Sequence, residues 1–380
     1  MFYFFRINDP YRLAGLLVLL IILYLPVFID KPPLIYPELH SFVVGEKIGE
    51  GLAPYNELVD STAPFTAWFY GFLDFLFGRN ITGRHLLAFI LIYLQSAYMS
   101  IMCVDRKIFT ESTYLPSLIF SVLFFFSFDT IALTGELLGS GFLLLALSSL
   151  IKVMEFRMQR DETFFNIGFF ISIATLFEFS FIVFLAAAGV SLMIFSRSSP
   201  RSYLLTLFGF FLPHLLLMSV YFLKDDLSFL YRYYYAENFL FSSLNLIAWR
   251  ELLVLGAFPV FYFAISLFML NRESRLTKYQ SQLVQIMFFW IFFACIQVLY
   301  SRNLRPQSFI TLIPGIAFFI THFLLIIRRK KFAEINLWIL FTGVVAINYL
   351  SRYGHLENVK YDKLTVSTSQ DHVPVKGKRI

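Results

Sequence analysis

Charged side chains make up only 15% of this sequence, so the few that interrupt its apolar runs are the first candidates for chemistry. Residues 37–78 read PELHSFVVGEKIGEGLAPYNELVDSTAPFTAWFYGFLDFLFG, with Glu38 two positions before His40 and Tyr55 directly after Pro54. A carboxylate or an imidazole held beside a hydroxyl can take its proton. Glu136 opens an apolar run in TGELLG. Arg302 and Arg305 precede another in RNLRPQSFITLIPG, and Lys224 follows a third. Such cations are charge-assisted donors to anionic oxygens. Each residue also has a plain structural reading. Glu38 fits the solvated face of an interfacial helix, Glu136 the favourable N-terminus of a helix dipole, and Arg302 and Arg305 the role of interfacial anchors. Tyr55 reads as a turn-packing ring and His40, without a second His, as structural. Glu178 in LFEFS either pairs across helices or caps a break. Tyr233, Tyr234 and Tyr235 read as an aromatic belt at a membrane interface, and the sequon at Asn80 is a pattern short enough to arise by chance.

The elements that position these residues follow from composition. The chain of 380 residues is 58% hydrophobic with a mean hydropathy of +0.70, beyond the ~45–50% apolar content of a soluble domain. Apolar runs recur at lengths that cross a bilayer, near 11–29, 84–104, 113–128, 136–153, 164–178, 180–196, 202–223, 251–270, 282–300, 307–327 and 334–350. About eleven transmembrane helices are therefore expected in an all-α bundle. Lys and Arg concentrate in alternate short loops, among them Arg6, Arg106 with Lys107, and the run Arg328 to Lys331. By the positive-inside rule this bias puts the N-terminus in the cytoplasm and the C-terminus outside. The first run, Leu13 to Ile29, lacks a cleavage pattern and reads as a retained span. The net charge of +6 is accounted for by topology, and nucleic acid is not expected as a partner.

The stretch Pro64 to Gly78 is short for a span and carries Asp74, so it reads as an interfacial helix of a long first outer loop, residues 30–83. A short amphipathic helix ending at Gly51 and a Pro54-Tyr55 turn precede it. A second long outer segment covers 224–250. Residues 1–350 form the transmembrane domain, and 351–380 read as a polar, mostly unstructured tail. Cys103 and Cys295 lie in apolar runs with no ligand-spaced partner, which argues against a disulfide framework or a zinc site. No cofactor is called for, and a divalent ion is left open.

The first outer loop resembles that of the GT-C glycosyltransferases, membrane enzymes that take sugars from polyprenyl-phosphate donors, and especially their protein mannosyltransferase and aminoarabinose transferase branch. Glu38, Gly51, Pro54, Tyr55, Pro64, Phe77 and Gly78 match the family's pattern without a gap. TGELLG, with Glu136, is similar to its second outer acid, and residues 302–315 resemble its late basic segment. The resemblance implies an outward-facing cavity in a bacterial inner membrane. There Glu38 and Glu136 are candidate catalytic carboxylates, Arg302, Arg305 and Lys224 candidate ligands of lipid phosphate, and His40 and Tyr55 candidate cavity residues. It also implies polyprenyl phosphate or a similar membrane lipid as ligand. One departure stands out: Pro37 occupies the place of the first acid of the family's pair. The chain is also shorter than typical members, and no folded C-terminal outer domain is expected. Two readings follow, a transferase and a catalytically degenerate GT-C subunit that docks membrane or periplasmic proteins. A transporter is disfavoured because the charged candidates gather at one rim instead of mid-membrane.

Overall fold

The computed structural model describes residues 1–155, 160–195, 199–240, 244–270, 276–301, 303–356 and 359–366. Their helices are α1 (Phe2–Arg6), α2 (Arg12–Ile29), α3 (Tyr36–Gly49), α4 (Pro64–Phe77), α5 (Ile81–Asp105), α6 (Leu115–Phe124), α7 (Gly135–Met154), α8 (Asp161–Phe177) and α9 (Val183–Phe195). They continue with α10 (Pro200–Leu223), α11 (Leu227–Leu230), α12 (Glu237–Phe239), α13 (Trp249–Leu255), α14 (Ala257–Leu270), α15 (Lys278–Tyr300), α16 (Ile313–Ile326) and α17 (Lys330–Arg352). A π-helical turn, Tyr231–Ala236, lies between α11 and α12, and 3-10 turns at Phe128–Ile131, Phe179–Ile182 and Pro306–Leu312 precede α7, α9 and α16. The described strands are a parallel pair of two residues each, β1 (Leu244–Asn245) and β2 (Asn303–Leu304).

This is a multi-pass membrane bundle. Among the described residues seven helices are long and apolar enough to cross a bilayer, α16 being counted with the 3-10 turn before it, and an eighth results if α13 and α14, bent by 70° at their junction, count as one span. Val18, Ile21, Ile22 and Leu25 on α2, and Leu204, Phe208, Phe211 and Leu215 on α10, are exposed, as lipid-facing positions must be when no water is available to solvate them. The expected count of eleven is not established. The run at 113–128 becomes α6, ten residues long and buried at every one of them. A helix apolar all round and enclosed by protein has the same hydropathy as a lipid-exposed span. The runs at 164–178 and 180–196 become α8, of 17 residues, and a 3-10 turn leading into α9, of 13.

Close backbone approach organises one side of the bundle. A Cβ on Gly168 of α8 would collide with the Thr206 carbonyl of α10, so this crossing requires a residue without a side chain. The charged loops separate into two ends. At one, Arg6 Nε donates to Glu111 at 2.6 Å, Arg106 pairs with Glu155 at 3.1 Å, and the Tyr279 hydroxyl reaches the Arg106 carbonyl. The first long loop, the α7 N-terminus and the segment before α16 meet at the other.

The first loop contains two helices, as its sequence indicates. Pro64 occupies the first turn of α4, where its missing N–H costs nothing, and α4 packs along α3. The tail departs from expectation. The Tyr36 amide donates to the Leu364 carbonyl at 2.8 Å and the Val366 amide to Leu34 at 2.8 Å. Leu364 is fully buried with Ile35 and Phe128, and Tyr361 meets Phe128 edge to face. Backbone pairing and two apolar anchors thus fasten 359–366 over the start of α3, whereas 367–380 lie outside the described residues.

Replacing Gly168 by Val should force α8 and α10 apart. Overpacking of this kind costs ~1–3 kcal/mol or more, and the expected outcome is a clear drop in melting temperature in detergent, against little change for Gly189→Ala, where a Cβ meets open space.

Candidate functional site

A cavity of about 290 Å³ opens at the end where the first loop, the α7 N-terminus and the segment before α16 meet. Its base is an ion pair. Glu136 stands in the first turn of α7 and is 4% exposed. Arg305, just ahead of the 3-10 turn leading into α16, is 8% exposed and grips both Glu136 oxygens, with Nε on Oε1 at 3.0 Å and Nη2 on both. The N-terminal end of the helix dipole adds to the carboxylate's stabilisation. Gly135 admits this geometry: a Cβ there would strike the Phe177 carbonyl and Thr66. Thr66 of α4 in turn donates to that carbonyl at 2.5 Å, so α4, α7 and the end of α8 converge at one point.

Glu178 lines the same cavity from the break after α8. Ser180 Oγ donates to it at 3.1 Å, Gln297 Nε2 donates to Ser180 at 2.9 Å, and Thr311 donates to Gln297 at 2.8 Å. This relay links Glu178 to α15 and the turn before α16. Burial and the neighbouring Glu136 carboxylate push Glu178 up to about 7, against the opposing pull of Arg305 and Ser180. Behind Arg305, Asp129 is sealed from solvent and pushed up to about 6 by burial; Ser127 and the Gln307 amide donate to it.

The opposite wall carries a second polar pair. His40 Nε2 lies 3.1 Å from Asp60 Oδ2, with side chains 35% and 26% exposed. Burial opposes ionisation of Asp60, but hydrogen bonds from His40, Thr62 and the Ser61 amide prevail and hold the carboxyl below its usual range. Asp60 belongs to the loop between α3 and α4. Asn238 donates to the Ser61 carbonyl at 3.0 Å, Asn56 to Asp226 at 2.7 Å, and the Tyr55 hydroxyl to Thr62 at 2.6 Å.

The structure brings some expected residues to the cavity and keeps others away. Glu136, Arg305 and His40 line it, and so does Pro37. Glu38 does not. It turns behind α3, where Oε1 meets His85 Nε2 at 2.5 Å and Oε2 accepts the Ile35 amide at 3.3 Å, capping its own helix. Neighbouring helix positions point ~100° apart, and the rotation of α3 that faces Pro37 into the cavity carries Glu38 toward His85 of α5. Tyr55 is buried against Tyr221 and Tyr234 behind the loop, with φ of +73°. Lys224 is exposed at the end of α10, away from the lining, and Arg302 lies outside the described residues. Tyr234 is no interface ring. It is fully buried and donates to the Thr175 carbonyl at 2.9 Å. Asp60 escaped the sequence reading. Its signal was local, an acid before Ser-Thr that forms a side-chain turn, but nothing local indicated His40 as its partner. Among the described residues no group of three or more His, Cys, Asp or Glu could hold a metal ion.

No protein-family model matches the chain, and no curated protein matches it in sequence. Its fold is GT-C-like. Two solved structures of ArnT, an aminoarabinose transferase, from Cupriavidus metallidurans share it: one bound to undecaprenyl phosphate, with a TM-score of 0.59 at 14% identity, and one in the apo state, with 0.56 at 15%. They cover 90% and 84% of this chain, while the chain covers 65% and 62% of theirs. It therefore spans a little under two thirds of their length.

Two outcomes are expected. Arg305→Met strands the buried Glu136 charge, a loss of about 3–5 kcal/mol, and adding Glu136→Gln should recover much of the melting temperature. Glu178 binds a proton in the folded state that the unfolded chain releases, so stability should fall as pH rises from its ordinary value of 4.5 to about 7. Glu178→Gln should then raise the melting temperature at about pH 8 and leave it unchanged at about pH 4.

Proposed function

We propose that the protein is a GT-C membrane transferase that takes a sugar from a polyprenyl-phosphate carrier at the outer face of a bacterial inner membrane, with its N-terminus in the cytoplasm. The observation that carries this reading is the charged cavity at one end of a bundle whose fold is shared with an undecaprenyl-phosphate-bound transferase. A cavity of this kind supplies what the reaction needs. Carboxylates orient sugar and acceptor hydroxyls, and preorganised donors meet the charge that develops on the leaving phosphate. Glu136 engages Nε and Nη2 of Arg305, so Nη1 is the donor that would meet a phosphate oxygen. Glu136 would then fix the guanidinium, as paired carboxylates commonly orient a cation.

A second reading rests on one observation. The cavity presents Pro37, which cannot accept a proton, and the adjacent acid Glu38 is locked to His85 behind the helix. A GT-C subunit that binds lipid without turning it over would have such a lining.

Purified protein incubated with undecaprenyl phosphate carrying mannose or aminoarabinose should release or transfer the sugar. Undecaprenyl phosphate binding without any release would favour the second reading. Glu38→Ala should lower the melting temperature through loss of a cap and a buried pair while leaving turnover per folded molecule within about threefold. Loss of turnover at unchanged stability would restore Glu38 to the chemistry.

A further inference from the structure

We propose that His40, oriented by Asp60, is the base that takes the proton of the acceptor hydroxyl, a role the adjoining helix position, Pro37, cannot fill. The inference rests on the transferase reading above and names a residue for it. Pro37 and His40 are three positions apart on α3, so they share a face, and both line the cavity. One helical turn beyond the proline, the same wall therefore offers an imidazole to the same space.

The pair is built and not incidental. Asp60 is ionised because its partners outweigh its burial. Its Oδ2 lies 3.1 Å from His40 Nε2; with the imidazole proton on Nε2 toward that carboxylate, Nδ1 is the nitrogen left to accept, since one ring nitrogen's partner sets the role of the other. The loop bearing Asp60 is fastened at Asn56, Ser61 and Thr62 by Asp226, Asn238 and Tyr55. Tyr55 itself holds φ at +73°, a conformation that costs about 1 kcal/mol or more outside glycine and persists only where the surroundings enforce it. A solvated surface ion pair needs none of this. The other charged and titratable groups lining the cavity around His40 are Tyr36 on its own helix, Tyr70 on α4, Glu136 on α7, Glu178 beyond α8 and Arg305. Of the carboxylates, Glu136 is held by Arg305 and Glu178 accepts from Ser180.

The step balances. The acceptor oxygen forms a bond to the anomeric carbon as its proton passes to His40 Nδ1. The bond from that carbon to the phosphate oxygen breaks, and its electron pair leaves with polyprenyl phosphate. The Asp60 carboxylate stabilises the imidazolium until the proton is released to water. Asp60 is a positioning residue; His40 would touch the reacting hydroxyl.

The test measures sugar transfer or release from undecaprenyl-phosphoryl mannose and undecaprenyl-phosphoryl aminoarabinose by the full chain in detergent, with undecaprenyl phosphate affinity and melting temperature measured alongside. General-base catalysis is worth about 10²–10⁴-fold, so His40→Ala should lose turnover by at least about 100-fold at near-unchanged affinity, and added imidazole should restore part of it. Should that variant fail to fold, His40→Gln carries the same measurement. Asp60→Asn should lose turnover in the wild-type background and nothing further beside His40→Ala, a coupling that a merely structural contact would not produce. Wild-type turnover retained within threefold in His40→Ala would overturn the dyad and leave the transferase standing. Absence of wild-type turnover on both donors would overturn the transferase reading and the dyad with it.

Discussion

The ion pair between Glu136 and Arg305 is the constraint from which the cavity's architecture follows. Two opposite charges withdrawn from water recover their desolvation only through close, multidentate contact, so every element bearing on the pair must be placed accurately. The α7 N-terminus is drawn against the end of α8 at Gly135, where no Cβ fits. The segment after Arg305 is fixed by Gln307, whose amide meets Asp129 and whose side chain donates to the Ala132 carbonyl at 2.7 Å. Asp129 is in turn set by Ser127. The loops before α7 and before α16 thereby become one rigid floor, and the relay through Ser180, Gln297 and Thr311 extends it to Glu178.

Against that floor stands a wall of a different kind. The first loop has few buried charges facing the cavity and is held by helix packing, by an aromatic cluster around Tyr55 and Tyr234, and by single hydrogen bonds from Asn238 and Asn56. The segment 359–366 covers the start of α3 from outside. A wall built from several modest contacts opens at lower cost than a floor tied by a buried ion pair. Glu38 belongs to this wall's support: with His85 it caps the first turn of α3.

The cavity is acidic on balance, with the carboxyl groups of Glu136, Glu178 and Asp60 against the Arg305 guanidinium. Such a site does not attract an anionic lipid by charge alone. The proton held by Glu178 near neutrality lessens that repulsion and converts one acceptor into a donor. Two carboxylates set close together share protons for the same reason, since both cannot ionise in a space with little water.

Much of this protein follows from its sequence alone. Apolar runs of bilayer length determine a membrane bundle, because lipid selects for helices that satisfy their own backbone. Pro64 and the run after it place α4, and a Gly-ended pattern places α3 to within two residues. The acid at Glu136 and the base at Arg305 were visible as candidates at one rim. What the sequence leaves open is which atoms meet. Glu136 and Arg305 are separated by 169 positions, and neither reveals that it will neutralise the other. Glu38 and Pro37 are adjacent, yet only the seating of α3 against α4 and α5 decides that the proline faces the cavity and the acid does not. Hydropathy could not separate α6, enclosed by protein, from a lipid-facing span, since both environments exclude water equally. Asp60 joined His40 only once the loop between α3 and α4 had closed. Local patterns dictate what each segment becomes; the direction in which its side chains point depends on the neighbours that cover its other faces.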